Sequence, residues 1–145
     1  MAKKSLESEE IVIRVITEFP EKLCQEAAVL FAGAGWIDKV ENGGFLRFAL
    51  PGSCVVAGAF SGNRLVGIAR ALSDDFSDAY IQDVTTLKEF RNRGIGSRLV
   101  MCLVKELQSR GIDWIGLVGV PGTEKFYTGL GFEPQKGYTL YLRKN

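Results

Sequence analysis

The stretch Arg91-Asn92-Arg93-Gly94-Ile95-Gly96-Ser97 gathers positive charge and small residues in a pattern suited to an oxyanion. Where such a stretch leads from a strand into a helix, the first helical amides lack internal partners and the helix dipole adds partial positive charge. Gly94 and Gly96 would let backbone approach a phosphate that a Cβ would hold off, with Arg91, Arg93 and Arg98 as a rim. The same residues equally suit an ordinary tight turn with a charged rim. A dinucleotide fingerprint needs a third glycine where Leu99 stands, and the Gly-Lys-Ser/Thr of a P-loop is missing.

The chain of 145 residues contains no histidine. That removes Ser-His-Asp and Cys-His catalysis, His-based metalloproteases and most zinc sites, so no metal is expected. Proton transfer falls to carboxylates, tyrosine, lysine, cysteine or water. Asp38, Glu41, Asp74, Asp75 and Glu124 stand near turns, where solvated charges are usual. Cys24, Cys54 and Cys102 form no CxxC pair and read as small core residues in a reducing compartment. Cys54 and Cys102 lie in apolar elements, which argues for inert thiols and against an acyl-enzyme route.

These residues need a scaffold, and the length suits one domain over 1–145 that buries its core without staples. A net charge of +1 gives no field for nucleic acid or an anionic membrane. MAKKSLESEE lacks an apolar signal segment and no later run approaches a membrane span, so a cytoplasmic location is expected. Ile11–Thr17 reads as a strand, and Pro20 opens a helix that Gly33 and Gly35 end. Trp36–Leu50 holds one or two short helices. Val55–Phe60 and Leu65–Leu72 form a hairpin about Ser61-Gly62-Asn63-Arg64, and Ala79–Leu87 completes a meander.

Ile95, Leu99, Cys102, Leu103 and Leu107 trace one helical face, ended at Gly111. Ile112–Val120 is nearly continuous in apolar residues, as in a strand buried on both faces. A short helix over Thr123–Leu130 and a last strand over Tyr138–Leu142 follow. The order β-α-α-β-β-β-α-β-α-β is that of a mixed α/β domain.

The turn Arg91–Gly96 is followed about thirty residues later by Phe126-Tyr127-Thr128-Gly129-Leu130-Gly131-Phe132. This pairing resembles the GNAT acetyltransferase superfamily, with its RxxGxG pyrophosphate turn and later Tyr-x-x-Leu-Gly-Phe segment. The resemblance covers nearly the whole chain and implies a mixed central sheet: an antiparallel meander, then a splayed parallel strand pair, with helices on both faces. It implies acetyl-CoA as co-substrate, lying between Ala79–Leu87 and Ile112–Val120. Backbone at Val84, Thr85 and Thr86 would then pair with the pantetheine arm. The amides of Asn92, Arg93, Gly94, Ile95, Gly96 and Ser97 would hold the pyrophosphate, with Arg91 beside them.

Tyr127 matches the family tyrosine that often protonates the leaving thiolate; alternatively it packs beside Phe126. Asp83, beside the implied acetyl site, either accepts the amine proton or serves as an arginine partner or a bulge cap. Val120-Pro121-Gly122 departs from the family, many of whose members carry an asparagine there.

Gly35-Trp36, Ala49-Leu50 with Ser53, Leu65–Ala71 with Ser73-Asp74, and Ile81–Val84 look similar to small plant and cyanobacterial arylalkylamine (serotonin-type) acetyltransferases. That implies a small primary amine as acceptor, aromatic ones included, with Trp36, Phe45 and Phe48 lining a pocket or simply filling core. Two other readings stay open. One is acetylation of a protein amino terminus or lysine, and the other is a non-catalytic acyl-CoA sensor. A homodimer would be common among relatives.

Overall fold

Period-2 patterning accounts for most of the sheet. In the computed structural model, which describes residues 10–145, Ile11–Ile16 (β1) alternates half-buried and exposed positions, as an edge strand should. All but Glu10 of MAKKSLESEE lies outside the described residues. Val55–Ser61 (β2) is buried throughout, with Val55, Ala57 and Ala59 in one core and Val56 and Phe60 in the other. Gly62, at a φ of +58°, turns the chain into Arg64–Ser73 (β3). Asp78–Thr86 (β4) follows antiparallel, and Trp114–Leu117 (β5) lies parallel to β4. The sheet order is β1-β2-β3-β4-β5.

Glu21–Gly33 (α1) buries Leu23, Ala27, Leu30 and Phe31 on one face of the sheet, joined by a 3-10 segment, Val40–Phe45, and one turn of helix, Leu46–Ala49 (α2). Ile95–Ser109 (α3) covers the opposite face through Ile95, Leu99, Leu103 and Leu107. Each such side chain contributes about 1.5–3 kcal/mol by leaving water. Glu124–Thr128 (α4), shorter than the expected Thr123–Leu130, packs Phe126 and Tyr127 against the α3 core.

Two expectations fail at the C-terminal side. The strand expected over Ile112–Val120 shrinks to the four residues of β5 and is not buried on both faces: Trp114 is 54% exposed. Among the described residues β5 pairs along one edge only, and Trp114 packs against the exposed Tyr80 ring, 5.3 Å away. Tyr138–Leu142 is not a strand, and Tyr141 is 87% exposed. β5 keeps a free edge, but residues 138–142 do not pair with it, and β-propensity alone does not bring two segments together.

The feature that shapes the site is a bulge in β4. Ile68 pairs with Thr85 and Arg70 with Gln82, so Asp83 and Val84 together oppose Ala69. Asp83 takes a φ of +57°, a conformation that aspartate tolerates better than most residues. A bulge bends its strand. The β4–β5 pairing runs from Asp78↔Trp114 to Ile81↔Leu117 and stops there, two residues before Asp83. Beyond it the two parallel strands part.

Candidate active site

The parting leaves one edge of Gln82–Thr86 without a strand, while the other edge stays paired to β3 at Thr85 and Thr86. Val84, Thr85 and Thr86 are half-buried along this edge. Val118–Val120 continue the chain beyond the end of β5.

The chain then passes through a 3-10 turn, Lys88–Phe90, into the start of α3. Asn92 and Gly94 both have positive φ, +62° and +74°. Gly94 is the N-cap, and no side chain caps the helix. The first amide of α3 seen to bond back is Arg98, to the Gly94 carbonyl at 3.2 Å, which leaves Ile95, Gly96 and Ser97 amides free for a ligand. A Cβ at Gly94 would meet nothing within 4 Å, whereas one at Gly96 would meet Phe126 at 3.4 Å. Gly96 therefore also serves the contact between α3 and α4.

Each arginine of the rim is anchored to backbone. Arg91 Nε donates to the Thr86 carbonyl (3.2 Å), Arg93 to Glu89 (3.2 Å), and Arg98 to Ile11 (3.0 Å). Among the described residues none of the three pairs with a carboxylate. Free amides at a helix start, open space at Gly94 and uncompensated positive charge together suit a phosphate-type anion.

Tyr127 lies on α4 with its ring against Gly119, whose added Cβ would come within 3.5 Å of it. Phe126 and Phe132 meet the ring edge-on at 4.8 and 6.0 Å. The packing expected beside Phe126 is there, and the hydroxyl has no hydrogen-bond partner among the described residues. Burial pushes the phenol above its ordinary value of 10, so it stays protonated at neutral pH. Tyr127, Gly119, Thr123, Tyr80 and Trp114 help line a groove of about 900 Å³ along β5.

Asp83 is an arginine partner, and its own backbone forms the bulge, where the alternative expectation was a cap. Arg70 Nε donates to Asp83 Oδ2, Arg70 Nη1 donates to Ser53 Oγ (3.3 Å), and Ser53 donates to the Ala49 carbonyl (2.8 Å). Arg70 and Ser53 appeared in the sequence only as members of similar segments. Their partnership with Asp83 arises from the bulge, which leaves no mark in the residue pattern.

Two of the other acidic candidates, Asp74 and Asp75, have structural work. Asp74 accepts the Phe76 and Ser77 amides and the Ser77 hydroxyl, which lowers its carboxyl to about 2. Asp75 pairs with Arg110. Burial raises the thiols of Cys54 and Cys102, which keeps them protonated and poorly nucleophilic. Trp36 and Phe45 pack edge-on against Phe31, while Phe48 is 71% exposed beneath the Arg47 guanidinium. Among the described residues no group of three or more His, Cys, Asp or Glu could hold a metal ion.

The sequence profile of the acetyltransferase (GNAT) family matches residues 21–132. An uncharacterized N-acetyltransferase, ycf52, of Gracilaria tenuistipitata var. liui is 32% identical over 116 residues, which span 77% of this chain and 59% of that protein. A chloroplastic GCN5-related N-acetyltransferase 2 of Arabidopsis thaliana is 41% identical over 70 residues, 48% of this chain and 27% of its own length. The chain thus spans well under two thirds of these relatives. An aminoglycoside N-acetyltransferase solved with coenzyme A superposes with a TM-score of 0.73 at 14% identity, covering 94% of this chain and 96% of that one. At that identity the likeness is one of fold.

Proposed function

The chain belongs to the acetyltransferase (GNAT) family, and we propose that it moves an acetyl group from acetyl-CoA directly to a small primary amine, aromatic ones included. The observation that carries this reading is the parting of β4 and β5 in front of the uncapped start of α3. The free edge of Val84–Thr86 offers backbone donors and acceptors to a pantetheine arm, and the amides of Ile95–Ser97 suit its pyrophosphate. A protein of the same fold solved with coenzyme A supports the choice of co-substrate.

At neutral pH an alkylamine, with a pKa near 10.4, is almost wholly protonated and must lose a proton to become a nucleophile. Asp83 accepts that proton, directly or through one water. Its Oδ2 is held by Arg70, and Oδ1 remains for the acceptor. The free amine then attacks the acetyl carbonyl to form the C–N bond, and the Tyr127 hydroxyl delivers a proton to the sulfur as the C–S bond breaks. The second amine proton, lost as the amide forms, restores the phenol through solvent. A phenol at or above 10 facing a thiol near 8.5 makes that transfer uphill by at least about 2 kcal/mol. The sulfur of the intact thioester is less basic still, so the proton moves as the sulfur–carbon bond breaks, not before.

Ser53 ties Arg70 to the end of α2, so Phe48 borders the same network. This supports an acceptor with an apolar or aromatic body. The open groove along β5 supports a second reading, a peptide acceptor. Thiol release from acetyl-CoA across aromatic alkylamines, aliphatic amines and peptides separates the two. Aromatic alkylamines should turn over fastest. Preference for peptides would overturn the small-amine reading, and tight acetyl-CoA binding with no turnover would make the protein an acyl-CoA sensor.

A further inference from the structure

We propose that Arg70 is a positioning residue that holds the Asp83 carboxylate by one oxygen, and that Ser53 braces its guanidinium against the end of α2. This inference rests on the assignment of Asp83 as the proton acceptor. Three observations carry it. Asp83 leaves β4 at a bulge with a φ of +57°, so the backbone does not share the regular strand geometry that would aim its side chain. The pair is shielded from solvent, with the Arg70 side chain 15% exposed and that of Asp83 23%. The guanidinium uses two nitrogens in two directions, Nε to Asp83 and Nη1 to Ser53, whose own proton is committed to Ala49.

Such a fork is specific to arginine: a lysine offers a point charge on a flexible stem and cannot make both contacts in one plane. The arrangement also couples two parts of the molecule that the sequence keeps apart. A shift of α2, which bears Phe48, would pass through Ser53 and Arg70 to the carboxylate. Occupancy of the acceptor side and orientation of the proton acceptor are thereby linked.

The test is a double-mutant cycle with a competent amine, reading kcat, the amine KM and the acetyl-CoA Kd for wild type, Arg70→Met, Asp83→Asn and the double variant. Because a misplacement of about 1 Å can cost about 100-fold in rate, Arg70→Met should lower kcat by about 10- to 100-fold with the acetyl-CoA Kd unchanged. In the Asp83→Asn background it should add less than about twofold, since the group it positions is already disabled. Arg70→Lys, which keeps the cation and guards against misfolding of the Met variant, should fall between wild type and Arg70→Met.

The same fold-loss from Arg70→Met in both backgrounds, or an unchanged kcat in the wild-type background, would overturn the positioning role alone. Asp83→Asn turning over at the wild-type rate would remove the proton-acceptor assignment and this inference with it.

Discussion

Tyr127 carries a ring wedged between Phe126, Phe132 and the Gly119 backbone, and a hydroxyl that spends no proton within the described chain. Tyr127→Phe keeps the ring and removes only the proton, so the two roles separate. As general acid, Tyr127 should contribute about 10²–10⁴-fold to kcat, with acetyl-CoA affinity unchanged in the Phe variant. The pH dependence has a definite sign. Burial raises the phenol's pKa, so the protonated, donating form persists to higher pH and is lost only above about 10. The ratio of wild-type to Tyr127→Phe kcat should therefore stay level from about pH 7 to 9.5. A ratio falling to one below pH 9, or near one throughout, would reduce Tyr127 to packing. Asp83 shows how far a single residue could be read. Its strand and its candidate pairing with an arginine followed from the residue pattern. That the arginine is Arg70 depends on a bulge that no local preference encodes.

On the proposed reading, the start of α3 is the one element that meets most of the ligand charge. Gly94 sits in left-handed backbone with open space where a side chain would begin, so Asn at this position keeps the turn while adding a Cβ beside the free amides. Losing one charge-assisted hydrogen bond costs about 1.5–3 kcal/mol. Gly94→Asn should therefore weaken acetyl-CoA by about 10- to 100-fold in calorimetry and leave S-acetylpantetheine, which lacks the pyrophosphate, unaffected. Equal losses for both ligands would point to a distorted turn and not to a blocked cradle. Gly96 is a poorer probe, because its side-chain space already borders Phe126. α3 was legible in advance because helical periodicity and flanking glycines are local signals. β5 was not. Its apolar run continues through Val118 and Val120, which are exposed where the strands part, so hydrophobicity there tracks the edge of a site and not a strand's burial.

Over the whole molecule, the meander, the two helical layers and the parallel pair follow the order read from the sequence, because patterning on each face had one sheet to satisfy. Tyr138–Leu142 breaks that order: its residue types suit a strand, but pairing is a property of two segments, and β5 presents its second edge to open space. The account's central claim is a location. Acetyl-CoA should enter between the parted ends of β4 and β5 and end on the start of α3. An NMR titration of the amide-labelled protein with acetyl-CoA tests this residue by residue. The amides of Val84–Thr86 and Asn92–Ser97 should shift together, saturating at one affinity. Saturable shifts confined to the groove between β1 and α3, around Ile13, Val15, Met101 and Lys105, with residues 92–97 unmoved, would contradict it.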